Sequence, residues 1–462
     1  RVGLALTSGK QYVSALIGVM KAGLPVIPLN TQLTSPEMEA FLDQVRPQAV
    51  ICDEAHSDLM GPAGVTKYVA NFGSSGLTLR RWSQPGSASV PFNTTEDDEM
   101  LAIGTGGSTG VPKGAVMSRQ AIWFWTACSA SSQQIRVDDV ELFSARFFHS
   151  TILTGLFTPL AAGATARIVD RFEPEVVERA VQNDSVTRIG GTPTVLMRIF
   201  ELAQRSPQTW KNVRTVQFWS AKSPPGFVDA LRDAFPNAQY MTGYGSTEFG
   251  PATRLYGREL LQGGGGVGRP IPTTSVVIVN PDNGQVTTDP KIVGEVAVKS
   301  PWQMSRYAGP TEDTRSAFLP TGEILSGDIG EFDAEGFLHL RGRRKEMILT
   351  GGENVFPSEV EDVLASHPAI REVAVYGIDD RVWGERVEAA VVTRQGVVVN
   401  LKEIRDFSRG RLAAYKLPRS LVQLEEMPLT PNWKIDKRQL ATRSADNREI
   451  WASPNDGRDS TA

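Results

Sequence analysis

The chain has 462 residues, 40% hydrophobic and 22% charged, with 48 Lys and Arg against 52 Asp and Glu for a formal charge of −4. That is the composition of a folded protein with room for two or three domains, and it gives no bulk electrostatic case for nucleic acid or an anionic membrane. No apolar run reaches bilayer-spanning length, so no integral membrane segment is expected, and Cys52 and Cys128, both in apolar surroundings, read as buried free thiols rather than a disulfide framework.

Arg1 to Leu6 reads as a strand already under way, with no initiating Met, signal or transit segment, so the true beginning is expected upstream. The pattern predicts a strand at 2–6, a helix at 11–21 ending near Gly23, and a strand at 26–27. A helix follows at 35–45, with Pro36 at its start and Glu37 and Glu39 in its first turn, then a strand at 49–52. Residues 72–94 read as a polar connecting loop. The rhythm then returns: strand 166–169, helix 174–182, strand 188–190, helix 193–204, strand 216–219, helix 225–234. Such alternation argues for an α/β fold with parallel or mixed sheets covered on both faces.

Beyond the glycines at 263–266 the pattern changes to short strands at 275–279, 294–299, 329–332 and 337–340. Hairpin turns at 282–284 and 333–336 join them, as in a small distorted barrel. After 342–345 comes a compact α+β unit of roughly 100 residues: helix 357–366, strands 372–377 and 387–393, helix 401–409, strand 420–424. The expected division is a large, N-terminally incomplete domain at 1–344, a smaller one at 345–442, and a frayed tail at 443–462.

The run Thr105–Lys113, reading TGGSTGVPK, follows an apolar strand. Its glycines free the backbone to turn and present N–H groups, its hydroxyls add short donors, and Lys113 adds a mobile cation. That is phosphate-holding chemistry without Walker spacing, since the lysine follows a proline. By composition alone a Gly/Ser-rich surface turn fits equally.

Further motifs accumulate in order: Tyr244-Gly245-Ser246-Thr247-Glu248, Ser326-Gly327-Asp328, Gly342-Arg343-Arg344-Lys345, Gly351-Gly352-Glu353 with Pro357-Ser358-Glu359-Val360-Glu361, and Pro431-Asn432-Trp433-Lys434. Together with the glycine-rich run the chain resembles the adenylate-forming, AMP-binding superfamily, whose members include acyl- and aryl-CoA ligases, peptide-synthetase adenylation domains and beetle luciferases. The departures are Gly at 106 for the usual Ser, Ser326 for Thr, and Trp433 for Gly.

The resemblance implies a fold and a reaction. The fold is a large N-terminal domain with mixed parallel sheets and a β-barrel-like subdomain, followed by a mobile α+β domain. The reaction joins carboxylate and ATP into acyl-AMP and pyrophosphate, then passes the acyl group to a thiol, with ATP, Mg2+ and coenzyme A as cofactors. Metal and cations must neutralise the charge where a carboxylate attacks a polyanion.

It further implies roles residue by residue. Lys434, Thr247 and Glu248 are the expected catalytic groups: Lys434 bridges carboxylate, α-phosphate and ribose, Thr247 holds the α-phosphate, and Glu248 is the Mg2+ ligand. Nucleotide and CoA contacts are expected from Thr105, Gly107, Ser108, Thr109, Gly110 and Lys113, from Ser220, Ala221 and Lys222, and from Gly243, Tyr244 and Gly245. Tyr244 would pack on adenine and Asp328 accept both ribose hydroxyls. Arg343 would reach ribose or phosphate, and Gly351 and Gly352 would pass the pantetheine arm. Lys345 takes the hinge position, about which the small domain would rotate between adenylating and thioester-forming poses.

For the acid, the resemblance implies a pocket near His149, Lys222 and Gly245. The aromatics Trp123, Trp125, Phe147, Phe148 and Trp219 suggest a small or aromatic acid, with Lys222 or Arg146 available to pair with a second polar group. Solvent-facing or ion-paired roles for these cations stay open, as does a core role for each aromatic. Expected partners are the acid and CoA, or alternatively a carrier protein, an amine or another nucleophile; a catalytically inactive binding homologue is a further alternative. A homodimer and a cytoplasmic location complete the expectations.

Overall fold

Hydrophobic alternation organises the first half of the chain. In the computed structural model, β1 (Val2–Ala5), α1 (Lys10–Lys21), β2 (Val26–Pro28), α2 (Ser35–Val45) and β3 (Ala49–Cys52) follow one another as their periodicities dictate. The structure describes residues 1–57, 65–73, 76–81, 95–105, 112–144, 146–169, 173–219, 223, 226–261, 266–394, 397–429, 435–442 and 448–451. Pro36 opens α2, and the Glu37 carboxylate turns back to accept the Thr34 N–H and hydroxyl, both at 2.8 Å.

The stretch read as a loop from 72 begins instead inside a hairpin. β4 (Thr66–Gly73) and β5 (Gly76–Arg81) pair antiparallel, with Tyr68 opposite Arg81 and Gly73 opposite Gly76. The glycines at 73 and 76 mark a turn between strands, not the start of a long connection. Residues 82–94 lie outside the described residues. Of the two thiols, Cys52 is fully buried as expected; Cys128 is only half-buried, because its helix turns that face partly outward.

β6 (Glu99–Thr105) joins β2 in parallel, and β7 (Lys113–Ser118) turns back antiparallel on β6. The resulting sheet has apolar layers on both faces: α1 with Trp125, Phe143 and Phe147 on one, α2 with Phe41 and Val45 on the other.

A second sheet follows from α3 (Arg119–Ser132), β8 (Val140–Phe143), α4 (Thr158–Ala161), β9 (Thr165–Ile168), α5 (Pro174–Asp184), β10 (Arg188–Gly191), α6 (Pro193–Arg205), β11 (Thr215–Phe218), α7 (Phe227–Ala234) and β12 (Gln239–Thr242). Its parallel strands run in the spatial order β9, β8, β10, β11, β12. The order reverses between β8 and β10, and in open α/β sheets such a switch opens a crevice beyond the carboxyl ends of the strands. A buried ionic network crosses this sheet: Arg188 Nε lies 2.9 Å from Glu141 Oε2, and Gln217 donates to Glu141 Oε1 at 2.8 Å.

The β-rich stretch forms a five-stranded antiparallel sheet among the described residues, including Ser275–Val279, Gly294–Lys299, Ile324–Phe332 and Leu338–Arg343; its outermost strands do not pair with each other. The final unit builds a separate sheet around the long hairpin Ile370–Asp380 and Gly384–Thr393, with Ser420–Leu424 parallel to the latter. Its two faces carry their own cores, one on helices Pro357–Ala365 and Leu401–Ser408, the other on Lys437–Thr442. Among the described residues, no helix is long and apolar enough to cross a membrane.

Candidate functional site

The glycine-rich run is the connection of a β-hairpin. Thr105 pairs with Lys113 and Gly104 with Gly114, so the strands hold both ends of the loop. Gly107, Ser108, Thr109 and Gly110 lie outside the described residues, as do Ser220, Ala221, Lys222 and Lys434. Thr105 is buried at the strand end. Gly114 is glycine for packing reasons: a Cβ there would stand 2.8 Å from the Val45 side chain.

Lys113 projects toward a strand that the sequence reading missed. Arg306–Ala308 pairs antiparallel with β7, setting Tyr307 opposite Ala115. Lys113 Nζ lies 2.6 Å from Asp313 Oδ1 and 5.4 Å from the centre of the Tyr307 ring. The Tyr307 hydroxyl donates to Glu248 Oε1 at 3.0 Å. Burial first, and the neighbouring Glu248 carboxylate second, push the Tyr307 hydroxyl far above its ordinary pKa, so it stays a donor.

Glu248 is set by its own loop. Ser246 Oγ accepts the N–H groups of Glu248 and Phe249 at 3.1 and 3.3 Å, and the Glu248 carbonyl accepts the Met304 N–H at 2.7 Å. The side chain keeps oxygen capacity beyond the one bond from Tyr307, which suits a hard cation. Among the described residues no group of three or more His, Cys, Asp or Glu could hold a metal ion. The adjacent Thr247 hydroxyl donates to Ser150 Oγ at 3.1 Å. Ser150 and half-buried His149 follow β8 on one side of the β8/β10 switch, and the His149 ring stands edge-on to Phe148 at 4.4 Å.

Gly243 and Gly245 flank Tyr244 where chains cross closely. A Cβ at either would come within 2.3 Å of the Thr253 carbonyl oxygen or 2.5 Å of that of Gly250. Tyr244 itself is a core residue, its ring 5.6 Å from that of Phe249. Its hydroxyl donates to Asp328 Oδ2 at 2.6 Å, while Arg343 Nε lies 2.9 Å from Asp328 Oδ1. Burial, then the Asp328 charge, raise the Tyr244 hydroxyl well above its usual pKa. The carboxylate is thus held by the Tyr244 hydroxyl and the Arg343 guanidinium. Gly327 carries a φ of 75°, a turn that favours glycine, and its N–H meets Glu295 Oε1 at 3.0 Å.

The same Glu295 reaches the short turn at 344–346: Arg344 Nη1 lies 2.7 Å from its Oε2. Lys345 sits exposed in the short turn Arg344–Glu346. Beyond it, Gly351 and Gly352 have φ values of 60° and 86°. The Gly351 N–H donates to the Trp383 carbonyl at 2.8 Å, and the Trp383 ring fills the space where a Cβ at 351 would go.

The aromatic residues expected near the acid divide differently. Trp123 is 63% exposed, whereas Trp125 and Phe147 are buried in the first core, and Arg146 faces solvent. Residues two apart on a helix point in different directions, which separates Trp123 from Trp125. Their bulk therefore gives no support to a pocket wall. Trp219, just beyond β11, does lie at the carboxyl ends of the strands: its ring covers Gly190 of β10, where a Cβ would stand 2.4 Å from it. Tyr307, Asp313, Ser150 and Trp383 were not foreseen, and Tyr307 and Asp313 lie 59 and 200 residues from their partners Glu248 and Lys113.

Residues 1–308 match the AMP-binding enzyme family and residues 359–434 match the AMP-binding enzyme C-terminal domain. The chain is 30% identical over 450 residues to a long-chain-fatty-acid–CoA ligase of Mycobacterium tuberculosis, covering 95% of this chain and 87% of that protein. It is 31% identical over 456 residues to an indoleacetate–CoA ligase of Aromatoleum aromaticum, covering 94% and 86%. The structure of o-succinylbenzoate coenzyme A synthetase from Bacillus subtilis, in complex with ATP and magnesium ion, superposes with a TM-score of 0.78 at 26% identity, covering 95% of this chain and 88% of that one.

Proposed function

This chain belongs to the AMP-binding enzyme family and is an AMP-forming acid–CoA ligase that uses ATP, Mg2+ and coenzyme A, and we propose that its acid is short or flat and that the residues gathered above divide the work. In the first half-reaction a carboxylate oxygen attacks the α-phosphorus of ATP, and the bond to pyrophosphate breaks. In the second, the CoA thiol attacks the acyl carbon, AMP leaves, and the thiol proton passes to solvent.

Asp328, steadied by Tyr244 and Arg343, takes the ribose hydroxyls. Thr247 exchanges its bond to Ser150 for one to the α-phosphate. Glu248 offers a carboxylate oxygen to Mg2+, which when bound neutralises phosphate charge. Lys113 faces the departing pyrophosphate. Lys434 bridges carboxylate and α-phosphate in the first step and withdraws for the second, as the small domain (345–442) turns about Lys345 and brings Gly351 and Gly352 to the thiol.

The observation that carries this reading is the linked set Tyr244–Asp328–Arg343 and Thr247–Ser150 with Glu248–Tyr307, gathered beside the carboxyl ends of the second sheet. The short or flat acid is supported by one feature: the Trp219 indole occupies the space above Gly190 at the β8/β10 crevice. The test is a panel of acetate, medium and long fatty acids, benzoates, cinnamates and dicarboxylates, with wild type and Trp219→Ala. The reading expects a short or aromatic acid to lead in wild type and chain length to rise in the variant. Preference for long saturated acids in wild type overturns it.

A further inference from the structure

We propose that Asp313 is a positioning residue for the polyphosphate end of the ATP site: it holds Lys113 in reserve, and an incoming phosphate must take the lysine from it. The inference rests on the reading of Lys113 as a phosphate-facing cation.

The site contains two groups of opposite charge with incompatible duties. Glu248 must remain available to a cation, and Lys113 to an anion. Tyr307 stands between them, giving its hydroxyl to Glu248 at 3.0 Å and presenting its ring to Lys113 Nζ at 5.4 Å from the centroid. Asp313 completes the separation by drawing Nζ to 2.6 Å from its Oδ1.

This meeting is enforced by the fold rather than by two long side chains finding each other at a surface. Arg306–Ala308 is hydrogen-bonded along β7, with Ala308 opposite Gly114, the residue next to Lys113. The Tyr307 N–H then bonds Thr314 Oγ1 at 3.0 Å, which ties the helix Thr311–Ala317 to the same strand. Asp313 is thereby fixed over the end of β7 from which Lys113 departs. The paired side chains are 28% and 31% exposed, enough for solvent and a ligand to compete for the lysine. Pyrophosphate, with several oxygens to offer one ammonium, is the ligand class suited to displace a single carboxylate.

Binding of inorganic pyrophosphate with Mg2+ to the full chain, followed by calorimetry, tests the exchange without turnover. Asp313→Asn should tighten pyrophosphate by about two- to fivefold, the strength of a partly exposed ion pair. Lys113→Ala should weaken it, and in the Lys113→Ala background Asp313→Asn should change nothing. Asp313→Ala should repeat the Asp313→Asn result. If Asp313→Asn has the same effect with and without Lys113, the aspartate acts by general charge or structure and the proposal fails. If Lys113→Ala weakens binding while Asp313→Asn is silent, the proposal fails and the Lys113 reading stands. If Lys113→Ala itself is silent, that reading fails and takes the proposal with it.

Discussion

Replacing Gly351 by alanine separates the two half-reactions. Alanine at a φ of 60° carries a backbone cost of about 1–2 kcal/mol. Its methyl group would also stand 2.9 and 3.1 Å from two ring carbons of Trp383. Trp383 cannot retreat freely, because the Arg419 guanidinium lies 3.8 Å from its ring centre, a contact worth about 0.5–1 kcal/mol at an exposed site. The sum is about 1.5–3 kcal/mol, so the loop will relax away from its native path, and restoring it for thiol attack should slow thioester formation on the order of 10- to 150-fold. Gly352→Ala is the internal control: its φ is 86° but its Cβ meets nothing within 4 Å, so only the backbone cost applies, roughly 5- to 30-fold. Single-turnover transfer from isolated acyl-adenylate to CoA measures the step, and ATP–pyrophosphate exchange measures adenylation. Both variants should keep exchange near wild type, and Trp383→Ala should bring Gly351→Ala level with Gly352→Ala. Equal losses in both half-reactions would refute the assignment of this loop to the second step.

Lys434→Ala should do the opposite, cutting pyrophosphate exchange by orders of magnitude while sparing transfer from supplied acyl-adenylate; parallel losses would contradict its withdrawal. Glu141→Gln removes one partner of a pair in which Arg188 and Glu141 are both nearly inaccessible, and urea unfolding should show a loss of about 3–5 kcal/mol; a loss under about 1 kcal/mol, the range of exposed pairs, would mean the network is dispensable. The Thr34 N–H, then the Thr34 hydroxyl, hold the Glu37 carboxyl below its usual pKa against a small opposing effect of burial. Its contribution is therefore present above the unfolded-state pKa and lost as pH falls through the folded one. Glu37→Gln should cost about 0.5–1 kcal/mol at neutral pH, with the gap closing in acid; a pH-independent difference would reject this origin.

Much of the scaffold was legible because burial writes its own period into sequence. Helix 35–45 and strands 49–52, 275–279 and 420–424 have the boundaries their patterns dictate. The hairpin through Gly73 and Gly76 was lost because glycines and serines signal a turn and a loop alike. Among the candidate residues, contiguous motifs such as Tyr244–Glu248 were legible because one loop supplies neighbouring groups. Tyr307 and Asp313 did not: a tyrosine and an aspartate are ordinary residues until pairing along β7 sets them beside Glu248 and Lys113. Aromatic bulk misled for the same reason. Nearness along the chain placed Trp123 beside Trp125, whereas helix geometry sends one to solvent and one to the core.

The central claim is that this chain couples acid activation to CoA thioester formation at one site. The direct measurement incubates the purified chain with ATP, Mg2+, CoA and the acid panel, and follows pyrophosphate, AMP and acyl products together by mass spectrometry. The account predicts pyrophosphate, AMP and acyl-CoA in equal amounts for at least one short or aromatic acid, with acyl-adenylate accumulating when CoA is withheld. Acyl-adenylate that persists in the presence of CoA, or the absence of pyrophosphate with every acid, would contradict it.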